Sequence, residues 1–263
     1  MFRRHCVVAE ILKTTEWVLF IDADIGIVNP TRLIEEYIDA RYDITFYDRF
    51  CSWEVAMGSY IVRNTQFSRT FLMNFANFET HLPNSFHGSD NGAIHAYLLE
   101  TLAPDNRRDA HVCYSIWHQS SGFDDLFLYE SCIRSIIGSR RTFEKVRIVR
   151  KGTGWVRDIW ITDSLWSSER DFMLHGMKES DRSTVPDGLF SYLSHEKPQA
   201  VASAVRLGLL KDFLWAGLRE DAISRICLCF SKFIRLIKPC HFTALANTKL
   251  TVLQKRTKPA VIE

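Results

Sequence analysis

No stretch of the 263-residue sequence approaches the about 20 consecutive apolar residues that a bilayer-spanning helix needs. No secretory leader is visible, because Arg3, Arg4 and His5 lead straight into an amphipathic segment. No usable N-glycosylation acceptor exists either, since Asn29-Pro30-Thr31 is blocked by its proline. The sequence therefore carries no direct sign of secretion. Charge of one sign is also lacking: 33 Lys and Arg against 31 Asp and Glu leave +2, too little to imply nucleic acid or a membrane surface as partner. Cysteine is present without a pattern. The seven fall at Cys6, Cys51, Cys113, Cys132, Cys227, Cys229 and Cys240. Only Cys227 and Cys229 are close, and a C-x-C pair without His or further Cys at fixed spacing is not a zinc site. Buried or free thiols are the simpler reading, and one or two disulfides in an oxidising compartment the other. There is no internal repeat and no low-complexity tract.

What is present is an ordinary globular balance, 46% hydrophobic and 24% charged, with 18 Phe and seven Trp. The aromatic supply suits a large core or a sugar-stacking cleft. Apolar residues at helical spacing predict a helix over 2–13, with basic residues on its other face. Trp17-Val18-Leu19-Phe20-Ile21 is a continuous apolar run, the pattern of a strand buried on both faces of a parallel sheet. A turn at Asn29-Pro30-Thr31 opens a short helix over 31–40. Strands are expected over 43–48 and 60–64, a helix over 66–79, a loop over 83–91 and a helix over 92–102. Beyond that, 112–117 and 146–150 read as strands and 125–137 as a helix. Residues 155–178 look loop-like, 197–240 helical, and the last twenty a loose tail. Helix, buried strand, helix, strand is α/β organisation.

Phe20-Ile21-Asp22-Ala23-Asp24 is the motif with the clearest chemistry. On an extended chain residues i and i+2 face one side, so Asp22 and Asp24 can converge on one cation with small Ala23 between them. They follow a buried strand, whose carboxyl end is where open α/β sheets bind ligands. The bland reading is a strand-terminal Asp capping the next turn. His175-Gly176-Met177-Lys178 can add an imidazole to a mixed oxygen and nitrogen shell suited to Mn²⁺. Gly176 would let backbone approach a phosphate, and Lys178 would supply a point charge. His87-Gly88-Ser89-Asp90-Asn91-Gly92 sits at a loop-to-helix junction, where Ser89 or Asp90 can equally be an N-cap. In Trp53 to Tyr60, small Gly58 and Ser59 allow a ligand close to the backbone, or simply a tight bend.

Together these elements resemble the nucleotide-diphospho-sugar transferase superfamily with the GT-A fold. The nearest likeness is to a largely nematode family of glycosyltransferase-like domains of unknown function, over about residues 2–180. More distantly the chain is similar to glycogenin-like and yeast galactosyltransferase-like families. The resemblance implies a GT-A-like doubly wound mixed sheet, placed over 1–195, and the helical pattern and tail that follow are expected to form an extension over 196–263. It implies Asp22, Asp24 and His175 as manganese ligands, and Lys178, Gly176, Gly58 and Ser59 beside the donor phosphates. Asp90 and Asn91 would be the catalytic pair at the donor sugar, although the distant families carry Gln where Asn91 stands.

The implied activity is transfer of a hexose from a nucleotide sugar, UDP-linked, with retention, to a glycan, protein or lipid acceptor in the Golgi or secretory lumen. A catalytically silent sugar-nucleotide or glycan binder is the alternative. A metal phosphohydrolase fits less well, since no further acidic cluster is visible. Because those families begin with a strand and loop that grip the base, an N-terminal βα unit is expected to be lacking. The edge beside Trp17–Ile21 is then expected to be open unless a C-terminal segment fills it.

Overall fold

The computed structural model describes residues 1–29, 31–50, 52–158 and 171–176, and the backbone of 250–253. Helix α1 (Arg3–Ile11) feeds strand β1 (Trp17–Ile21), and a short strand β2 (Ile25–Ile27) follows the two aspartates. Strands β3 (Ile44–Tyr47) and β4 (Ser59–Arg63) lead to α2 (Gln66–Asn77), whose N-cap Thr65 accepts from the Ser68 amide. Three helices come next: α3 (Ser89–Leu102), α4 (His111–Gln119) and α5 (Phe123–Ile137). The short strands β5 (Thr142–Phe143), β6 (Val146–Val149), β7 (Val156–Asp158) and β8 (Met173–His175) complete the contiguous part, and β9 (Leu250–Leu253) returns from the C-terminal region.

Among the described residues the strands form two mixed sheets, one of six in the order β5-β6-β3-β4-β1-β9 and one of three in the order β2-β8-β7. The α/β class expected from the sequence is what this architecture shows. Strand β1 is buried at all five positions, as its apolar run requires. Its neighbours, however, are antiparallel on both sides, β4 from Trp17↔Arg63 to Ile21↔Ser59 and β9 from Trp17↔Leu253 to Phe20↔Leu250. Double-sided burial comes from two cores rather than from parallel crossovers. Val18 and Phe20 face a core shared with the helices, among them Phe71, Phe75, Leu99 and Tyr129. Trp17, Leu19 and Ile21 face a second core with Trp155, Phe172 and Met173 from the small sheet. The alternation of a strand sends odd and even residues to opposite cores.

Other expectations need correction. The edge beside Trp17–Ile21 is not open, because β9 pairs along it. The expected strand over 112–117 is helix α4. Val112, Cys113, Ile116 and Trp117 are strand-prone by type, but Cys113 and Trp117 lie one turn apart and are both buried. Trp117 stacks on Tyr129 at 4.7 Å, and Cys113 is disulfide-bonded to Cys132, so α4 is fastened to α5. A disulfide thus replaces the free-thiol reading at these two positions. Residues 31–40 hold a single 3₁₀ turn, Ile34–Tyr37, in place of a longer helix, and Asn29 Oδ1 takes the Thr31 amide at 3.1 Å in an Asx-type turn. The segment 155–178 supplies two strands, and four residues of the expected loose tail form β9. The expected helices over 197–240 and the division at 195–196 lie outside the described residues.

One buried group works against the fold. Glu130 on α5 is 0% exposed, and among the described residues neither carboxylate oxygen has a hydrogen-bond partner. Burial, then the charge of Glu54, push its pKa from 4.5 up to about 9, with Arg49 pulling the other way. In this window the unfolded chain gives up a proton that the fold retains. The Glu130 contribution is therefore fully present below about pH 4.5 and is lost as pH rises toward about 9. Glu130→Gln carries no such linkage. Urea denaturation is expected to show its stability relative to wild type rising with pH across that range, by at most roughly 1.4 kcal/mol per pH unit. A pH-independent difference would refute neutral burial of Glu130.

Candidate metal centre

Asp22 and Asp24 leave the carboxyl end of β1 and are half-buried, with Ala23 between them exposed. The backbone fixes their place at both ends: the Asp22 amide donates to Gly58 O at 2.7 Å, and Ile25 begins β2. Strand β2 pairs antiparallel with β8 in a register that sets Ile25 opposite His175. The Gly176 amide closes this pairing on Asp24 O at 3.0 Å. Two segments some 150 residues apart are thus joined by backbone pairing. The result is that one ligand atom each from Asp22, Asp24 and His175 lies within 4.8 Å of the others. Ligands about 2.0–2.2 Å from a divalent ion sit roughly 3–4.4 Å from each other, so only a small closure separates this group from a coordination shell. Two carboxylates and one imidazole are a donor set suited to Mn²⁺.

The imidazole is oriented at both nitrogens. His175 Nε2 lies 3.3 Å from Asp24 Oδ1, and Nδ1 lies 2.6 Å from Asp158 Oδ1. Burial alone would lower its pKa, but the bonds to Asp158 and Asp24 outweigh burial and hold the ring at about 9. Binding a metal then displaces a proton. Arg49 stands behind the ring, with Nη2 3.2 Å from His175 Nδ1 and Nε 3.2 Å from Glu54 Oε1.

On the other side, helix α1 turns two polar residues inward. Arg4 Nη1 reaches Asp22 Oδ1 at 2.5 Å, and Arg4 Nη2 reaches Asp90 Oδ2 at 2.7 Å. His5 Nε2 lies 3.0 Å from the same Asp90 oxygen, and Nδ1 lies 3.0 Å from the Tyr60 hydroxyl. Burial lowers the His5 pKa to about 4, so the ring is neutral at pH 7. Tyr60 then donates to Nδ1 while Nε2–H donates to Asp90. Burial alone would raise Asp90, but the His5 bond and the Arg4 charge hold it at about 2. For Asp22, burial prevails and moves its carboxyl up despite Arg4.

The remaining sequence candidates divide. Gly58 abuts Asp22 so closely that a Cβ there would lie 2.4 Å from Asp22 Oδ2. Ser59 is fully buried, and its hydroxyl accepts from Trp155 Nε1 at 2.8 Å, which places it in the core and not at a ligand. Asp90 is 1% exposed and tied to α1, so it borders the centre from behind. Asn91 Oδ1 accepts from the Met57 amide at 3.1 Å, which binds α3 to the chain leading into β4. His95 does the same one turn on, accepting from the Val55 amide at 3.1 Å. Gly176 has φ 99°, a conformation only glycine holds without strain, and its amide is used by Asp24. Lys178 lies outside the described residues.

Sequence reasoning missed Arg4, His5, Arg49 and Asp158. The first two sit in a helix whose basic residues look like a solvent face, and only their partners reveal otherwise. A cleft of about 340 Å³ opens beside Asp158, lined also by Tyr37, Phe50, Trp155, Arg157 and Phe172.

Two substitutions separate the centre from the fold. Gly58→Ala meets a flexible carboxylate, so stability is expected to change by less than about 1 kcal/mol. The same change turns Asp22 aside, and Mn²⁺ affinity is expected to fall roughly tenfold or more. Calorimetric titration and thermal melting read the two effects, and unchanged affinity would remove Asp22 from the shell. Arg4→Met strips the buried Asp90 of its cation and is expected to cost about 3–5 kcal/mol in chemical denaturation. A loss below about 1 kcal/mol would mean that His5 suffices.

No curated protein and no solved structure matches the chain. A family model described as "Protein of unknown function, DUF273" matches residues 1–191, most of the chain, which therefore belongs to that family.

Proposed function

We propose that this chain is a metal-dependent glycosyltransferase domain that takes a hexose from a nucleotide-sugar donor, UDP-linked, with retention at the anomeric carbon. The observation that carries the reading is the meeting of Asp22, Asp24 and His175 at one point from opposite ends of the domain. A bound Mn²⁺ would supply Lewis acidity to the leaving diphosphate. The chain's own residues do the rest. Arg4 partly balances Asp22 and keeps it from closing on a neighbouring acid. Asp158 and Asp24 hold the His175 ring in one plane. Asp90 and Asn91 act by positioning, since both are engaged with α1 and the Met57 amide and neither is free to attack a sugar. The Cys113–Cys132 disulfide fits a lumenal compartment such as the Golgi, where such bonds persist. No helix among the described residues is long and apolar enough to cross a membrane. The acceptor is a glycan, protein or lipid that the cleft beside Asp158 would receive.

Calorimetry with UDP in the presence and absence of Mn²⁺ tests the metal bridge. Binding is expected with the ion and to weaken by about tenfold or more without it. Asp24→Asn is expected to abolish the difference while leaving the melting temperature nearly unchanged, because Asp24 lies beyond the strand end. Equal UDP affinity with and without Mn²⁺ sinks the mechanism. Metal-dependent binding with no sugar transfer to any acceptor would favour the silent-binder reading.

A further inference from the structure

We infer that Asp158 is the positioning residue that makes His175 a metal ligand, a role deepening the metal centre proposed above. An imidazole gives a lone pair to an ion through one nitrogen only, and the ring proton must then sit on the other. His175 presents Nε2 to the centre, 3.3 Å from Asp24 Oδ1, so its proton has to be held at Nδ1.

Among the described residues two groups meet Nδ1, and they ask for opposite tautomers. The Asp158 carboxylate only accepts, so it requires Nδ1–H. The Arg49 guanidinium only donates, so it requires a bare Nδ1 and sends the proton to Nε2, where it would shut out a metal. The distances decide between them. Asp158 Oδ1 is 2.6 Å from Nδ1, the length of a charge-assisted bond, whereas Arg49 Nη2 is 3.2 Å away. Arg49 instead serves the acids, 3.6 Å from Asp158 Oδ1 and 3.2 Å from Glu54 Oε1. It holds the Asp158 carboxylate in place.

Backbone pairing makes the contact inherent to the fold. Strands β7 and β8 are parallel in a register that sets Asp158 beside His175. The Asp158 side chain is only 6% exposed, so water cannot readily take over its bond. Cleft and centre share this residue, which also lines the cavity. Ring tautomer and ring plane are thus both fixed by one buried carboxylate absent from the D-x-D and H-G-x-K motifs.

Titration of the full chain with MnCl₂ tests the role. Asp158→Ala is expected to weaken binding about ten- to hundredfold, the usual loss for an outer-shell partner of a metal-bound histidine. Asp158→Asn keeps a weaker acceptor and the same shape, and is expected to fall between wild type and Ala, which covers the case of an unfolded Ala variant. The signature a merely structural residue would not move is the ¹⁵N spectrum of neutral His175 at high pH. Wild type is expected in the Nδ1–H tautomer, and the Ala variant in the Nε2–H tautomer. Affinity equal to wild type in both variants, or an Nε2–H tautomer in wild type, overturns the inference. If wild type binds no Mn²⁺, the metal reading fails on its own, and the tautomer comparison still decides what Asp158 does: a switch supports the positioning role, and identical spectra overturn it.

Discussion

A single buried guanidinium, that of Arg4, holds the centre open. At 4% side-chain exposure it spans Asp22 and Asp90, the first at the candidate metal centre and the second at the start of α3. Without it two carboxylates would face each other in a medium where like charges repel strongly. The same group couples elements far apart in the chain, since α1 carries the arginine, β1 presents Asp22 and α3 presents Asp90. His5, the next residue, adds a neutral imidazole between Asp90 and Tyr60 on β4. The first helix is therefore less a cover for the sheet than the counter-charge of the site. Its apolar residues Val8 and Ala9, and Phe2 with its ring tilted against that of Phe75 at 5.3 Å, anchor it against α2 so that the charge stays in place.

The second constraint is the junction of two sheets. Strand β1 belongs to the large sheet and β2 to the small one, and the D-x-D residues occupy the turn between them. A carboxylate at such a turn escapes both cores while its backbone remains bonded on each side. Close approach demands small residues, and glycine supplies it twice. Gly58 leaves room for Asp22, and Gly176 takes a positive φ that ends β8 and returns its amide to Asp24. These are the positions at which side chains would displace the two aspartates rather than destabilise a core.

Legibility in the sequence followed the reach of the interactions. Strand β1 agrees with its sequence-based span residue for residue, and β3, β4 and α2 lie within a residue or two of theirs, because an apolar run or a helical period is a local signal. Asp22 and Asp24 were legible through their i, i+2 spacing after a buried strand. His175 required the assumption that a late imidazole returns to them, and the β2–β8 register is what makes that true. The inward turn of Arg4 and His5 was not legible, since a basic face on a helix is normally solvated and only Asp90, 85 residues or more away, changes its meaning. Antiparallel neighbours of β1 were equally hidden: an apolar strand between two cores has the same composition as one in a parallel sheet. Helix α4 was misread because strand-prone residues were overruled by the packing of Trp117 on Tyr129.

Several of the unfavourable groups of this molecule gather at one place. Asp158, Glu54 and Glu130 are buried acids that influence one another around Arg49, and Glu130 ends the series with no hydrogen bond among the described residues. A core chosen for stability alone would replace Glu130 by an apolar residue of similar shape. Its charge-sensitive neighbour Glu54 is itself moved up by burial, against the pull of Arg49. One arginine therefore answers to a carboxylate beside His175 and to a carboxylate deeper in the core. Any shift of Arg49 toward one weakens its hold on the other. Natural chains concentrate such violations of local rules at functional sites, where the surrounding fold holds them in place. The helical core around Phe71, Phe75 and Tyr97 shows no comparable strain, with Tyr97 donating to Phe71 O at 3.0 Å and its ring packed edge-on against Phe71. The acids around Arg49 are thus held apart by the fold directly behind His175, at the residue, Asp158, that the candidate centre shares with the cleft.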